Sequence, residues 1–151
     1  MLKVKIRIDG ADEVIRALYK LPADAQDEMH REARDIATSL ADKMKYAGAA
    51  LGSQDRRASS TVKESNVGFW PAITASNTGR AKGLLFGSEF GMTRKSGWYA
   101  RVRFFDSAGQ QFRPHLGANS YWFFKTAERE QPWVEREWQG AADGTVRKWS
   151  A

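Results

Sequence analysis

The chain has 151 residues, of which 42% are hydrophobic, and it contains no cysteine. This composition is typical of a soluble protein with a hydrophobic core, and it excludes a disulfide framework, a thiol nucleophile and a membrane span of about 20 apolar residues. Lysine and arginine number 24 against 18 acidic residues, a net charge of +6, but the excess is confined to one region. Residues 56–125 contain 11 basic and 3 acidic side chains, whereas the segments on either side each carry −1. Such a basic region is expected to contact a polyanion or an acidic protein surface.

Hydrophobic periodicity predicts the first three elements. Residues 1–8 alternate apolar and charged side chains, which is the pattern of a half-buried strand and not of a signal peptide. Asp9 is the predicted N-cap of a short helix that ends at Pro22. Between Ala25 and Ala47, apolar residues recur every three or four positions, which predicts a long amphipathic helix that Gly48 terminates.

Short strands and turns are predicted after the long helix. Ser60–Val67 and Phe69–Ala75 have the composition of two strands that flank a glycine. Residues 98–113 alternate around a turn at 106–109, and this pattern predicts a basic hairpin. We expect the hairpin to extend as an arm that contacts a neighbouring subunit.

The last predicted element is a helix from Pro132 to Trp149, since proline is favoured in a first helical turn. The order of elements is β-α-α, then a β-rich middle, then α, which predicts an α+β fold. We expect residues 1–151 to form a single domain. In it, an N-terminal strand, one long helix and two shorter helices pack on a small antiparallel β-sheet with an extended hairpin.

Few residues have catalytic chemistry. The two histidines are far apart in sequence: His30 is predicted to be an ordinary surface residue, and His115 to pack or to form a hydrogen bond. The serine of Gly87–Gly91 lacks the glycine that a nucleophile elbow has two residues before it. A nuclease that uses Glu64 and Glu89 is an alternative, although the acidic residues of the middle region are too scattered to predict a metal site. The sequence therefore predicts a protein that is not an enzyme and that needs no cofactor or metal.

The basic region offers two kinds of contact. Its candidate basic contact residues are Arg56, Arg57, Lys63, Arg80 and Lys82. Phosphate contacts through these residues would make the chain a nucleic-acid-binding protein. A protein partner is the preferred interpretation, because no recognition-helix motif accompanies the charges and arginine is also favoured at protein interfaces.

Aromatic residues predict contacts between subunits. Four consecutive aromatic residues at 121–124 cannot all face one core, and Trp133, Trp138 and Trp149 exceed what a small monomer needs, so we expect a homo-oligomer. The candidate subunit or partner interface combines aromatic residues with the hairpin: Arg94, Lys95, Trp98, Tyr99, Arg101, Arg103, Phe105, Arg113, Tyr121, Trp122 and Trp133.

Several segments occur in an order that resembles a known family. The strand and the first two helices are followed by Phe86–Gly91, which is similar to that family's Glu-Phe-Gly segment, and by residues 117–126, which lead into a tryptophan-bearing helix. In these features the chain resembles the tail-component family of long-tailed bacteriophages, the tail-completion or head–tail joining proteins of the neck. Two places depart from the family pattern: residues 57–60 match its arginine-serine segment only loosely, and Lys125 replaces a proline that is common before the threonine.

The resemblance implies a structural virion protein without enzymatic activity. It implies a ring, commonly six-fold, that joins or terminates the tail at the connector around the DNA channel. The implied partners are other copies of the chain, the connector or stopper proteins, the tail tube protein, and DNA that passes through without sequence reading. The implied location is the neck of the virion, after synthesis in the bacterial cytoplasm and without a membrane.

Overall fold

A computed structural model describes residues 2–6, 8–67, 69–75, 84–91 and 113–150. The fold is α+β, as predicted. In this part of the chain the elements are β1 (Leu2–Lys5), α1 (Ala11–Leu18), α2 (Ala23–Ala49), α3 (Ser53–Ser59), β2 (Val62–Val67), β3 (Trp70–Ala75), α4 (Leu84–Phe90) and α5 (Phe123–Trp149). The predicted hairpin lies outside the described residues except for Arg113, and so do the candidate residues Arg80, Lys82, Arg94, Lys95, Trp98, Tyr99, Arg101, Arg103 and Phe105.

The three strands form one antiparallel sheet in the order β1-β3-β2. The central strand β3 pairs Ile73 with Val4 on one side and with Glu64 on the other. Residues 71–75 of β3 are buried, because the strand has neighbours on both edges and helix α2 packs on the sheet. The two strands predicted after the long helix are therefore confirmed, with ends that differ by one or two residues.

Helices α2 and α5 each contain 27 residues and are thus about 40 Å long. They run antiparallel, because Lys43 near the end of α2 lies 2.6 Å from Glu130, whereas Glu28 near its start lies 2.8 Å from Lys148. The predicted apolar stripe of α2 is buried against α5 and the sheet. On α5, the indole N–H of Trp138 donates to the Phe69 carbonyl at 2.9 Å inside this core.

Four predicted helix boundaries are wrong. Helix α1 ends at Leu18, four residues before the predicted end at Pro22. The N-cap of α1 is Gly10, with a φ of 77°, and not Asp9. Gly48 does not terminate α2 but is buried within it, where the missing side chain leaves room for Ser59 and Trp122. Helix α5 begins at Phe123, well before Pro132, because its first turn is stabilised by a residue distant in sequence that local signals do not reveal.

The arrangement also differs from the predicted count of one long and two shorter helices. Helix α5 equals α2 in length, α3 forms where a loop was predicted, and α4 forms within the segment compared with a nucleophile elbow. The reason for α3 is tertiary: it packs against both α2 and α4, so a segment with a weak local helical pattern becomes helical in that contact.

Several aromatic residues predicted to be in excess have partners within one chain. Trp149 donates through its indole N–H to Glu28 at 3.0 Å, and the ammonium of Lys43 lies 3.7 Å from the ring centre of Trp133. The ring of His30 stacks on Phe69 at 4.2 Å, so this histidine is a packed residue and not an ordinary surface one. The number of tryptophans therefore does not by itself require a second subunit.

The same holds for the four consecutive aromatic residues. Trp122 and Phe123 are buried, and Tyr121 and Phe124 pack against the core from its edge. They span the bend that leads into α5, so successive side chains leave the backbone in different directions.

Glycine-to-alanine substitutions in the two long helices should have opposite effects. In Gly48→Ala the added Cβ would lie 2.6 Å from the Ser59 Cβ and 3.0 Å from the Trp122 ring, so we expect the free energy of unfolding to fall by about 1–3 kcal/mol. In Gly140→Ala nothing lies within 4 Å of the added Cβ, so the higher helix propensity of alanine should raise the free energy of unfolding by about 0.5–1 kcal/mol. Urea unfolding of both variants measures this, and equal effects would contradict the packing around Gly48.

The ion pair between the long helices predicts a pH dependence. A hydrogen bond from Lys43 holds the pKa of Glu130 below its ordinary value of 4.5, although burial opposes this. Its stabilisation is thus fully present above that value and is lost as the pH falls through the lowered pKa. Glu130→Gln should cost about 1 kcal/mol or less at neutral pH, because Lys43 is partly exposed, and progressively less in acid. Denaturation of this variant and of the exposed control Glu128→Gln across pH 2 to 7 gives the comparison, and a pH-independent difference would contradict it.

Candidate functional site

The two segments that carry the family resemblance meet at one buried carboxylate. Glu89, near the end of α4, is fully buried. Its Oε2 accepts hydrogen bonds from the N–H groups of Phe123 at 2.7 Å and Trp122 at 3.3 Å. Its Oε1 accepts from the N–H of Phe124 at 2.9 Å and from the hydroxyl of Ser120. These N–H groups open α5 and have no partner within that helix, so Glu89 supplies both the acceptors and the negative charge that a helix N-terminus favours.

A second polar cluster lies beside this cap. The hydroxyl of Ser88 donates to Asp55 at 2.6 Å and accepts from the indole N–H of Trp122 at 2.8 Å. A guanidinium nitrogen of Arg113 donates to Asp55 at 3.2 Å and to the Ser88 carbonyl at 3.3 Å. The cluster therefore ties α3, α4 and the start of α5 to the chain at residue 113. Ser88 is wholly buried and both of its hydrogen-bonding roles are occupied, so its environment differs from that of an exposed nucleophile.

Residues 113–122, which we call the strap, lie along α4 before α5 begins. The Leu116 N–H donates to the Phe90 carbonyl at 3.0 Å, and the Tyr121 N–H donates to the Glu89 carbonyl at 2.8 Å. The Tyr121 hydroxyl donates back to the Pro114 carbonyl at 2.7 Å. The first two bonds attach the strap to the last two residues of α4, and the third closes the strap on itself.

The strap also meets the chain at the point where α4 ends. Gly91 has a φ of 71°, and a Cβ at this position would lie 2.2 Å from the carbonyl oxygen of Pro114. Both the conformation and the contact therefore require glycine at position 91. It follows that residues 91 and 114 are in direct contact, although 22 residues separate them in the sequence.

The predicted interface residues that the structure describes do not all lie at the surface. Arg113 is paired with Asp55, and its guanidinium lies 4.1 Å from the ring centre of Tyr121. Trp122 is only 2% exposed and belongs to the core. Asp55 and Ser88 were not predicted to be site residues. The signal for Glu89 was present, because a carboxylate within the apolar segment 84–90 requires a distant partner.

The candidate basic contact residues that the structure describes are available at the surface. Arg56 and Arg57 on α3 and Lys63 on β2 are exposed. None of the three forms an ion pair within the part of the chain that the structure describes.

The residues considered for catalysis are not assembled into a site. Glu64 is exposed on β2, whereas Glu89 is enclosed at the start of α5 with both oxygens bonded. Over the described ranges, no group of three or more His, Asp or Glu residues is placed to hold a metal ion. His115 accepts a hydrogen bond from the Gly117 N–H at 3.0 Å through Nδ1, which confirms the expected hydrogen-bonding role.

Comparisons with protein-family models, with curated proteins and with solved structures find no match to this chain. Among the helices that the structure describes, none is both long and apolar enough to cross a bilayer.

The cap at the start of α5 can be tested with a change of one atom. Glu89→Gln replaces an acceptor oxygen by an NH₂ group that faces N–H donors, so we expect a loss of about 2–4 kcal/mol in the free energy of unfolding. Glu64→Gln is the matched control on an exposed strand position and should change it by less than about 0.5 kcal/mol. Thermal and urea unfolding give both values. Equal stability of the two variants would show that the cap contributes little.

Proposed function

We propose that this protein is a structural component of the head–tail junction of a long-tailed bacteriophage. In this proposal it forms an oligomeric ring that joins or terminates the tail at the connector, around the channel through which DNA passes. Its partners are other copies of itself, the connector or stopper proteins and the tail tube protein. Its location is the neck of the virion.

The meeting of residues 86–91 with residues 117–126 at Glu89 is the observation that carries the proposal. These are the two segments in which the chain resembles the neck proteins, and both serve to fix α5 and the strap. The polar side chains of Ser88, Glu89 and Ser120 are hydrogen-bonded inside the fold and are not presented to a substrate. Such an arrangement supports a protein that acts through a rigid shape and surface contacts, as a ring component does.

A second candidate function is nucleic-acid binding through the basic region. The exposed side chains of Arg56, Arg57 and Lys63, without ion-pair partners among the described residues, favour it. In a neck ring the same residues could face the channel, where contacts with phosphates carry no sequence information. Binding to duplex DNA that weakens steeply with salt and is lost in Arg56→Glu and Arg57→Glu would favour the second function.

The proposed function is tested in the genome that encodes the chain. Deleting the coding sequence should leave tails unjoined or irregular in length, as seen by electron microscopy, and should abolish infectious particles. The wild-type chain supplied in trans should restore them, and so should Glu64→Gln as the neutral control. Normal, infectious particles in the absence of the chain would overturn the proposal.

A further inference from the structure

The antiparallel long helices give the described part of the molecule two chemically different ends. One end contains α1, the start of α2 and the end of α5, where residues 9–35 and 143–149 together carry 9 acidic and 6 basic side chains; we call it the acidic end. The other contains the end of α2, α3 and the start of α5, where residues 42–63 and 123–130 together carry 7 basic and 4 acidic side chains; we call it the basic end. The pairs Glu28–Lys148 and Lys43–Glu130 show that the two ends lie apart, since the 15 residues from 28 to 43 rise by about 22 Å along α2.

Most of the acidic side chains at the basic end form ion pairs within the chain, whereas several of its basic side chains form none with the described residues. Asp42 pairs with Lys45, Asp55 pairs with Arg113, and Glu130 pairs with Lys43. The exposed residues Arg56, Arg57 and Lys125 form no ion pair with the described residues. A net positive surface therefore remains.

Each end also has an apolar groove. The groove at the basic end has a volume of about 450 Å³ and lies between α2 and α5, with Ala47, Leu51, Tyr121, Lys125, Glu128 and Arg129 among its lining residues. The groove at the acidic end has about 470 Å³ and lies between α1 and α5, lined by Glu13, Val14, Ala17, Asp143, Val146 and Arg147.

Large apolar side chains are exposed at both ends. Tyr46 is 80% exposed and Leu51 is 42% exposed at the basic end, and Tyr19 is 60% exposed at the acidic end. Both ends thus combine apolar surface with charge, and the charges are opposite.

We propose that copies of this chain associate head to tail, with the acidic end of one copy docked on the basic end of the next. Opposite charges favour this pairing, whereas contact between two basic ends or two acidic ends would place like charges together. Because the two surfaces differ, the contact is heterologous: each open oligomer keeps one free surface of each kind at its two ends, and association continues until a ring closes. The head-to-tail contact follows from the two ends, and its closure into a ring rests on the proposed function.

Two blocking variants test the contact, one at each end. Leu51→Glu places a negative charge in the groove that receives an acidic end, and Ala17→Lys places a positive charge in the groove that receives a basic end. Thr38→Glu and Thr38→Lys, on the exposed middle of α2, are the matched controls. Masses are measured by sedimentation velocity at about 100 μM protein, a concentration that detects contacts with a Kd in the micromolar range.

The wild type and both controls should form oligomers larger than dimers, and each blocking variant alone should sediment as a monomer. A 1:1 mixture of the two blocking variants should form a dimer and nothing larger, because one intact surface remains on each. This outcome is specific to a head-to-tail contact. Three outcomes would overturn the inference: a wild type that is monomeric, a blocking variant that assembles as the wild type does, or a blocking variant that forms dimers by itself.

Two further measurements keep the test decisive. Circular dichroism verifies that the blocking variants are folded. If either is not, Lys125→Glu at the basic end and Glu13→Lys at the acidic end, both at exposed groove residues, replace the two blocking variants. A wild type that is monomeric alone but restores phage particles overturns the head-to-tail contact and leaves the proposed function standing. If the chain assembles head to tail but the phage does not require it, the head-to-tail contact stands and the proposed function is overturned.

Discussion

The buried carboxylate of Glu89 is the constraint on which the rest of the structure depends. A carboxylate inside a protein is stable only when its acceptor sites are used, and three N–H groups and a hydroxyl use them here. The same N–H groups would lack partners at the start of α5 without it. Because each partner needs the other, the position of α5 is tied to the position of α4.

The polar cluster beside the cap extends this constraint to the strap. Asp55 and Ser88 fix Arg113 and Trp122 at the two ends of the strap, and Trp122 in turn packs against Gly48 of α2. Among the described residues, the buried Nε of Arg113 has no hydrogen-bond partner.

The charge of the chain acquires a different meaning once the helices are in place. In the sequence, the excess of basic residues lies in residues 56–125, and it indicates a single contact region. In the fold, Arg113 is neutralised by Asp55, while α2 and α5 run antiparallel and separate an acidic end from a basic end. Two different surfaces on one chain are what a head-to-tail assembly requires. The proposed neck function and the proposed contact therefore draw on separate observations, one on motifs and one on surfaces.

Sequence by itself determined the elements whose signals are local. Alternation predicted β1, strand-like composition on either side of a glycine predicted β2 and β3, and the spacing of apolar residues predicted α2, because burial on one face imposes a period of about 3.6 on helices. Only the tertiary structure decided where α5 begins, since its cap is Glu89, which lies 34 residues before Phe123. It also decided that Gly48 continues a helix instead of ending it, because the space its missing side chain leaves is filled by Ser59 and Trp122 from other segments. Contacts between distant residues carry no periodic signal, so the cap and the two ends of the molecule emerged only with the fold.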